Sequence, residues 1–407
     1  MDSVIYFDNN ATTRLLPEAF EAMRPFLTEL YGNPSSIHRF GSQVAQQILG
    51  AREQVAALLG AADPVEIVFT SCGTEGDSAA IRSMLEARPD KRHIVTTQVE
   101  HPAVLGLCQY LEKKGYRVSW LSVDEAGMLD LDELRDALTD ETALVSVMFA
   151  NNETGVIFPI EKVGEIVKAK GIPFHVDAVQ VAGKVPLRAK DLPVDLLTIS
   201  GHKFHGPKGV GALYVHRGVR FAPFLIGGHQ ERNRRAGTEN VAGIIGTGAA
   251  AEFALKHLDA YARQVGKLRD QLEQSLLEFC PGCRVNGSGE NRLPNTLNVS
   301  FRYLEGESIL VLLDQYGICA STGSACTAGS SEPSHVLRAM KVPPDWLQGA
   351  IRFSLSRFNT EEEVRYVNQT VPLVVQKLQG LSALGRLGKQ QAPRGRDKAA
   401  SSMGARG

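Results

Sequence analysis

Apolar residues recur along the first half of this chain in short, nearly unbroken runs. They fall at 66–70, 93–97, 116–123, 143–149, 173–177, 195–200 and 210–215. Between most of these runs, apolar residues return every three or four positions instead. Val44, Ile48, Ala51, Val55 and Leu58 form one such stripe, with Ser35 or Ser36 as candidate cap and Gly60 as stop. Others hold Leu105 and Leu107, or span 131–138 and 160–170. Strand-length runs without a polar face, alternating with one-faced helices, predict an α/β fold whose central sheet is mainly parallel and covered by helices on both faces. Ligands of such sheets sit outside the carboxyl ends of the strands, and Glu75, Asn152, Asp177 and Lys203 all fall near there.

From about residue 258 the pattern changes. Leu258, Tyr261, Val265, Leu268, Leu272 and Leu276 predict one long amphipathic helix able to join two domains. A strand at 297–301, a helix at 308–316 and a strand at 351–355 predict a smaller α+β unit beyond it. The expected organisation is a large domain at 15–257, a small domain built from 1–14 and 258–384, and a basic tail at 385–407. That tail reads as disordered and solvated, with docking of a partner as the alternative.

Composition changes this picture little. With 407 residues, 43% hydrophobic and 22% charged, the chain has the profile of a globular protein. A net charge of -1 speaks against bulk binding to nucleic acid or membrane. No apolar stretch nears the roughly 20 residues that span a bilayer, and Asp2 stands where a signal peptide wants a base, so a cytoplasmic protein is expected. Cys280-Pro-Gly-Cys283 has redox spacing but closes an amphipathic helix, which favours a turn over a redox or zinc role. Cys72, Cys108 and Cys319 read as small core residues.

Chemistry concentrates around Ser200-Gly-His-Lys203. A lysine at the lip of a parallel sheet, flanked by a hydroxyl, an imidazole and glycines, suits a Schiff-base enzyme with an anionic cofactor, although a lone lysine is ordinarily a surface residue. Ser71-Cys-Gly-Thr-Glu75 leads from a strand into a helix whose N-terminus can hold a phosphate. Neither a Walker sequence nor a strand-linked Gly-x-Gly-x-x-Gly is present, so a nucleotide is not the expected ligand. Asp177 ends an apolar strand, as a turn residue or as a carboxylate under a pyridinium nitrogen. His101 begins a helix, as a cap or as a ring that moves protons. Cys326 lies among small residues at 320–331, a composition suited to a mobile loop carrying a thiol.

Taken together, Asp177-Ala-Val-Gln180, Ser200-Gly-His-Lys203, Asn9-Asn-Ala-Thr-Thr13, Gly32-Asn-Pro-Ser-Ser36, Phe69-Thr-Ser-Cys-Gly-Thr-Glu75, Asn151-Asn-Glu-Thr-Gly155, Arg234-Arg-Ala-Gly-Thr-Glu-Asn240 and Ser324-Ala-Cys326 closely resemble the cysteine desulfurases. Gly228-His-Gln-Glu231 and the 319–326 region look most like the nitrogen-fixation branch, the NifS proteins, and the resemblance covers about residues 4–380. It implies a fold-type I enzyme dependent on pyridoxal 5'-phosphate (PLP), joined covalently to Lys203. Asp177 would pair with the pyridine nitrogen, Gln180 and Asn152 with the phenolic oxygen, and Gly73, Thr74, Ser200 and His202 with the phosphate. Thr238, reaching over from a neighbouring subunit, would complete that cup and imply a homodimer. His101 would stack on the ring, and Arg352 would clamp the substrate carboxylate, its plainer role being that of a salt-bridged surface arginine. Cys326 would accept sulfur from L-cysteine as a persulfide, releasing alanine, for a NifU-type iron–sulfur scaffold that serves nitrogenase. A glycine at 76, where the family often has serine, is expected to loosen the start of its helix, and Thr322 replaces a common loop serine. The rival readings are a selenocysteine lyase or aminotransferase on the same fold, and a non-catalytic sulfur-relay scaffold using the C-x-x-C.

Overall fold

A computed structural model describes residues 4–322 and 333–381. The chain opens with β1 (Ile5–Tyr6), followed by α1 (Pro17–Thr28) and α2 (Arg39–Leu59). α2 buries the predicted stripe of Val44, Ile48, Ala51, Val55 and Leu58, and Gly60 ends it in the left-handed region at φ 61°. Its cap is His38 and not a serine: the Nδ1 of His38 accepts from the Gly41 N–H at 3.0 Å.

Strands and helices then alternate: β2 (Ile67–Thr70), α3 (Gly73–Ala87), β3 (His93–Thr97), α4 (Pro102–Lys113), β4 (Arg117–Leu121), α5 (Leu131–Ala137), β5 (Thr142–Met148), α6 (Ile160–Ala169), β6 (Phe174–Asp177), β7 (Leu196–Ser200) and β8 (Gly211–Val215). They build one seven-stranded sheet in the order β2-β8-β7-β6-β5-β3-β4. Every pairing from β7 to β4 is parallel, as the alternation predicts. β8 runs antiparallel to both neighbours, because the short link from β7 leaves no room for a crossover helix. Side chains alternate between two apolar cores: Leu144, Leu196 and Leu213 meet Ile81 and Val104 on one face, while Val145, Leu197 and Tyr214 meet Val55 and Ala250 on the other.

After the single turn α7 (Gln230–Asn233) come α8 (Val241–Lys256) and the long α9 (Leu258–Phe279). The remaining elements are β9 (Cys283–Val285), β10 (Thr296–Phe301), α10 (Gly306–Gln315), β11 (Ile318–Cys319), α11 (His335–Ala339), α12 (Pro344–Leu347), β12 (Ala350–Ser354) and α13 (Glu361–Leu381). β12, β10 and β9 form an antiparallel sheet, and β1 pairs with β11. A third apolar core gathers Leu272 and Leu276 of α9 with Val299, Phe353 and Val367, and draws in Ile5 and Phe7.

Candidate active site

At the carboxyl ends of β5, β6 and β7 lies a cavity of about 260 Å³. Gly73, Thr74, His101, Asn152, Asp177, Gln180, Ser200, His202 and Lys203, all singled out from the sequence, line it together. Lys203 follows β7 on a tight turn, and its Nζ donates to the carbonyls of Asn10 at 2.7 Å and Ala11 at 2.9 Å. Asp177 ends β6, and its Oδ1 accepts from the Val179 N–H at 2.9 Å. Burial pushes this carboxyl up to about 6, while the Val179 N–H and the Lys203 ammonium hold it back. A carboxylate so desolvated favours a cationic partner.

The opposite wall is the N-terminus of α3. Its first N–H groups receive no side-chain cap from Cys72, and the buried Ser200 Oγ has no hydrogen-bond partner among the described residues. A Cβ on Gly73 would stand 2.8 Å from Val179 Cγ2 and 3.7 Å from Ser200 Cβ, so glycine keeps this corner open. Free N–H groups, a helix dipole and an unpaired hydroxyl make an anion site. Gly76, expected to loosen the helix, instead permits its approach to β7: a Cβ there would lie 2.6 Å from Thr198 Cγ2.

His101 is both cap and cavity residue. Its Nδ1 accepts from the Ala103 N–H at 3.2 Å at the head of α4. Burial, then the charges of Lys203 and His335, push it down to about 4, so the ring is neutral at neutral pH with its proton on Nε2.

The sequence matches the family model for class-V aminotransferases over residues 5–367. It is 62% identical over 380 residues to a cysteine desulfurase of Trichormus azollae, covering 93% of this chain and 95% of that one. It is 55% identical over 378 residues to the cysteine desulfurase NifS of Azotobacter vinelandii, covering 93% and 94% respectively. A solved NifS-like protein superposes with a TM-score of 0.87 at 44% identity, over 92% of this chain and all of its own. The chain belongs to the cysteine desulfurases.

Cysteine desulfurases are PLP-dependent, and the chemistry of this cavity suits that cofactor: an amine at Lys203, a buried acid at Asp177, and an uncapped helix end beside an unpartnered hydroxyl for a phosphate. Arg352 stands behind this desulfurase's cavity wall, buried in β12, and is not a surface residue: its Nη1 donates to the Asn152 carbonyl at 3.0 Å and its Nη2 to Asp8 Oδ1 at 2.7 Å. Thr238 is exposed between α7 and α8 and is not on the wall. Glu75 turns away to Arg235 Nε at 2.9 Å and the Ser71 N–H at 2.8 Å. Cys326 and the 385–407 tail lie outside the described residues.

Two cysteine expectations need revision. Cys72 lines the cavity instead of the core, because it caps α3 where the helix meets the sheet edge. Cys319 is half-buried in the two-stranded sheet, whereas Cys108 is core as expected. In the C-x-x-C, Cys280 caps α9 and Cys283 opens β9; burial pushes their thiols up to about 12 and about 11, against any redox relay. Reading the sequence also missed Asn10, Asp77, Glu100 and Lys184, all buried in or beside the cavity wall. Asp77 left a faint signal, an acid on the buried stripe of Gly73, Gly76 and Ala80.

Proposed function

We propose that Lys203, Asp177, His101, Arg352 and Cys326 carry this desulfurase's conversion of L-cysteine to L-alanine. The reading is supported above all by Lys203, Asp177 and an uncapped helix end converging on one cavity. When bound, PLP supplies a pyridinium ring that withdraws electrons from the substrate's α-carbon. Lys203 holds the cofactor covalently through Nζ. The Asp177 carboxylate keeps the ring nitrogen protonated, and Gln180 and Asn152 orient the phenolic oxygen. The first N–H groups of α3 at Gly73 and Thr74, with Ser200 and His202, bind the phosphate. His101 stacks on the ring and moves a proton at Nε2. Arg352, already paired with one carboxylate at Asp8, binds the substrate's carboxylate by the same fork. Cys326 attacks the substrate sulfur as a thiolate: an S–S bond forms, the C–S bond breaks, and the carbon keeps the electron pair and takes a proton, leaving a persulfide and alanine.

The exposed Thr238 reaches the phosphate of a second copy in a homodimer, a reading favoured by the exposed apolar residues Phe224, Leu225 and Ile226 just before it. The persulfide sulfur goes to an iron–sulfur scaffold of the NifU type, for nitrogenase. A cytoplasmic site of action fits the described helices, of which none is long and apolar enough to cross a membrane. A core that joins Ile5 and Phe7 to α9, β10, β12 and α13 supports a small domain from 1–14 and 258–384 beside a large cofactor-binding domain at 15–257, with Leu293, Val336, Leu337, Met340 and Ala350 of the small domain packing into the larger core.

Borohydride reduction of the PLP-loaded protein, followed by peptide mass measurement, is expected to fix the cofactor on Lys203. L-cysteine should then yield alanine and a sulfur adduct on the Cys326 peptide, and C326A should lose both. A C326A variant that consumes L-cysteine at the wild-type rate would overturn the sulfur-transfer role, in favour of an aminotransferase or selenocysteine lyase.

A further inference from the structure

Lys184 is 2% exposed in the turn that follows β6, yet no carboxylate among the described residues pairs with it. Its Nζ donates to Gln180 Oε1 at 2.8 Å and to Asn10 Oδ1 at 3.2 Å. The charged and titratable groups around it are Lys203 and His202 on the turn after β7, His205 just beyond, Arg352 on β12, and His257, Tyr261 and Arg357 across a small pocket that Lys184 also lines, none of them a carboxylate. Burial, then the charges of Lys203 and Arg352, pull its proton affinity well below the ordinary lysine value. Stability alone favours an apolar side chain at such a place.

The arrangement has a direction. The Asn10 carbonyl has only lone pairs to offer, so the Gln180 atom 3.0 Å from it is Nε2, and the atom facing Lys184 is Oε1. Lys184 is not on the cavity wall, whereas Gln180 is. With Oε1 turned to the lysine and one Nε2 hydrogen on Asn10, the second Nε2 hydrogen remains for a ligand. Asn10 ties the same group to the catalytic amine, since its carbonyl also accepts from Lys203 Nζ at 2.7 Å.

We propose that Lys184 is a positioning residue that acts on the cofactor through Gln180, holding the carboxamide with its N–H towards the cavity and favouring an anionic oxygen on the ligand. This rests on the reading that Gln180 meets the cofactor's phenolic oxygen. The test is a pH titration of the visible absorption of the PLP-loaded enzyme, together with cofactor retention. In K184M the donor that holds Gln180 Oε1 is gone, the carboxamide N–H is no longer fixed towards the cavity, the protonated form of the chromophore is favoured, and the midpoint is expected to rise by about 1 pH unit. K184Q, which keeps a donor for Oε1, should shift less and carries the test should K184M fail to fold. In a Q180L background K184M should add nothing further. A K184M or K184Q midpoint equal to wild type, or a K184M shift equally large with and without Gln180, overturns the proposal. Failure of the underlying reading would be seen separately, as a Q180L single variant with wild-type midpoint and cofactor retention.

Discussion

Asp177 shares the cavity wall with a second buried carboxyl, Asp77, and its charge helps to raise both Asp77 and the nearby Glu100. Burial and the Asp177 charge push Asp77 well above the usual carboxylate range, so of this group only Asp177, with Lys203 nearby, is placed to carry charge. D177N keeps the shape and removes that charge, and alanine release is expected to fall by about 100-fold. Glu100 works the other way. Burial lifts its carboxyl from 4.5 to about 8, with Met148 N–H and Thr97 Oγ1 bonded to Oε1 and Oε2 left without a partner among the described residues. The folded state therefore holds a proton that the unfolded chain has released, and this position loses stability as pH rises from about 4.5 to about 8. E100Q should melt higher than wild type by several degrees above pH 8, with the gain shrinking towards pH 5 in scanning calorimetry. Lys203 and Asp177 were legible in the sequence because each stands at the end of an apolar run. Asp77, Glu100 and Lys184 were not, because a buried charge and a solvated one are spelled alike until the chain around them has folded.

Under the proposed function, cofactor affinity is expected to turn on α3, since its first turn has no side-chain cap from Cys72 and its glycines set how closely it approaches β7 and the turn after β6. G73A would place a methyl 2.8 Å from Val179 Cγ2, inside the anion cradle. Binding of PLP should weaken about tenfold or more, so the rise in melting temperature on adding PLP should shrink relative to wild type. A second element is held by charge. Glu231, Arg232 and Asn233 are consecutive left-handed residues (φ 47°, 57° and 64°), a conformation costing about 1–3 kcal/mol each. The buried Glu231 is gripped by Arg52 Nη1 and Nη2 at 2.6 and 2.7 Å and by the Phe69 N–H at 3.0 Å. R52M strands that carboxylate in the core and should destabilise by about 3–5 kcal/mol in urea unfolding. Such a clamp joins residues 179 positions apart, beyond the reach of any local pattern. α8 escaped notice for the opposite reason: its glycines and alanines are buried on every side, so no apolar stripe marks it, unlike α9 with its recurring leucines.

Across the whole molecule, the alternation of strands and helices was enough to foresee a mainly parallel sheet and the end of it where the cavity lies, because both follow from periodicity. Placing residues 1–14 with the small domain accords with Ile5 and Phe7 in the third core, but the pattern could not foresee that the segment after them crosses to the cavity, since that path is set by hydrogen bonds such as Asn10 Nδ2 to Thr296 Oγ1. The same long-range packing buries titratable groups of both kinds, and their balance predicts how stability follows pH. Burial pushes His93, His101, His202 and His205 down to about 4 and His175 to about 3. Unfolded, each would bind a proton near 6.5, so below that pH the unfolded chain binds more protons and stability falls as pH drops towards 4. Glu100, Asp177 and Asp77 oppose them, because their raised affinities keep protons on the folded state that the unfolded chain has lost, and stability falls as pH rises. Glu153, buried and raised in the same way, makes a fourth; five histidines outweigh these four carboxyls on the acid side, and on the alkaline side the histidines are silent in both states. The cofactor-free protein should therefore melt highest near pH 6.5 and lower on either side. A melting temperature that climbed steadily from pH 5 to pH 8 would mean that the buried acids are ionised at little cost, and that Asp177 has no need of a cationic ring above it.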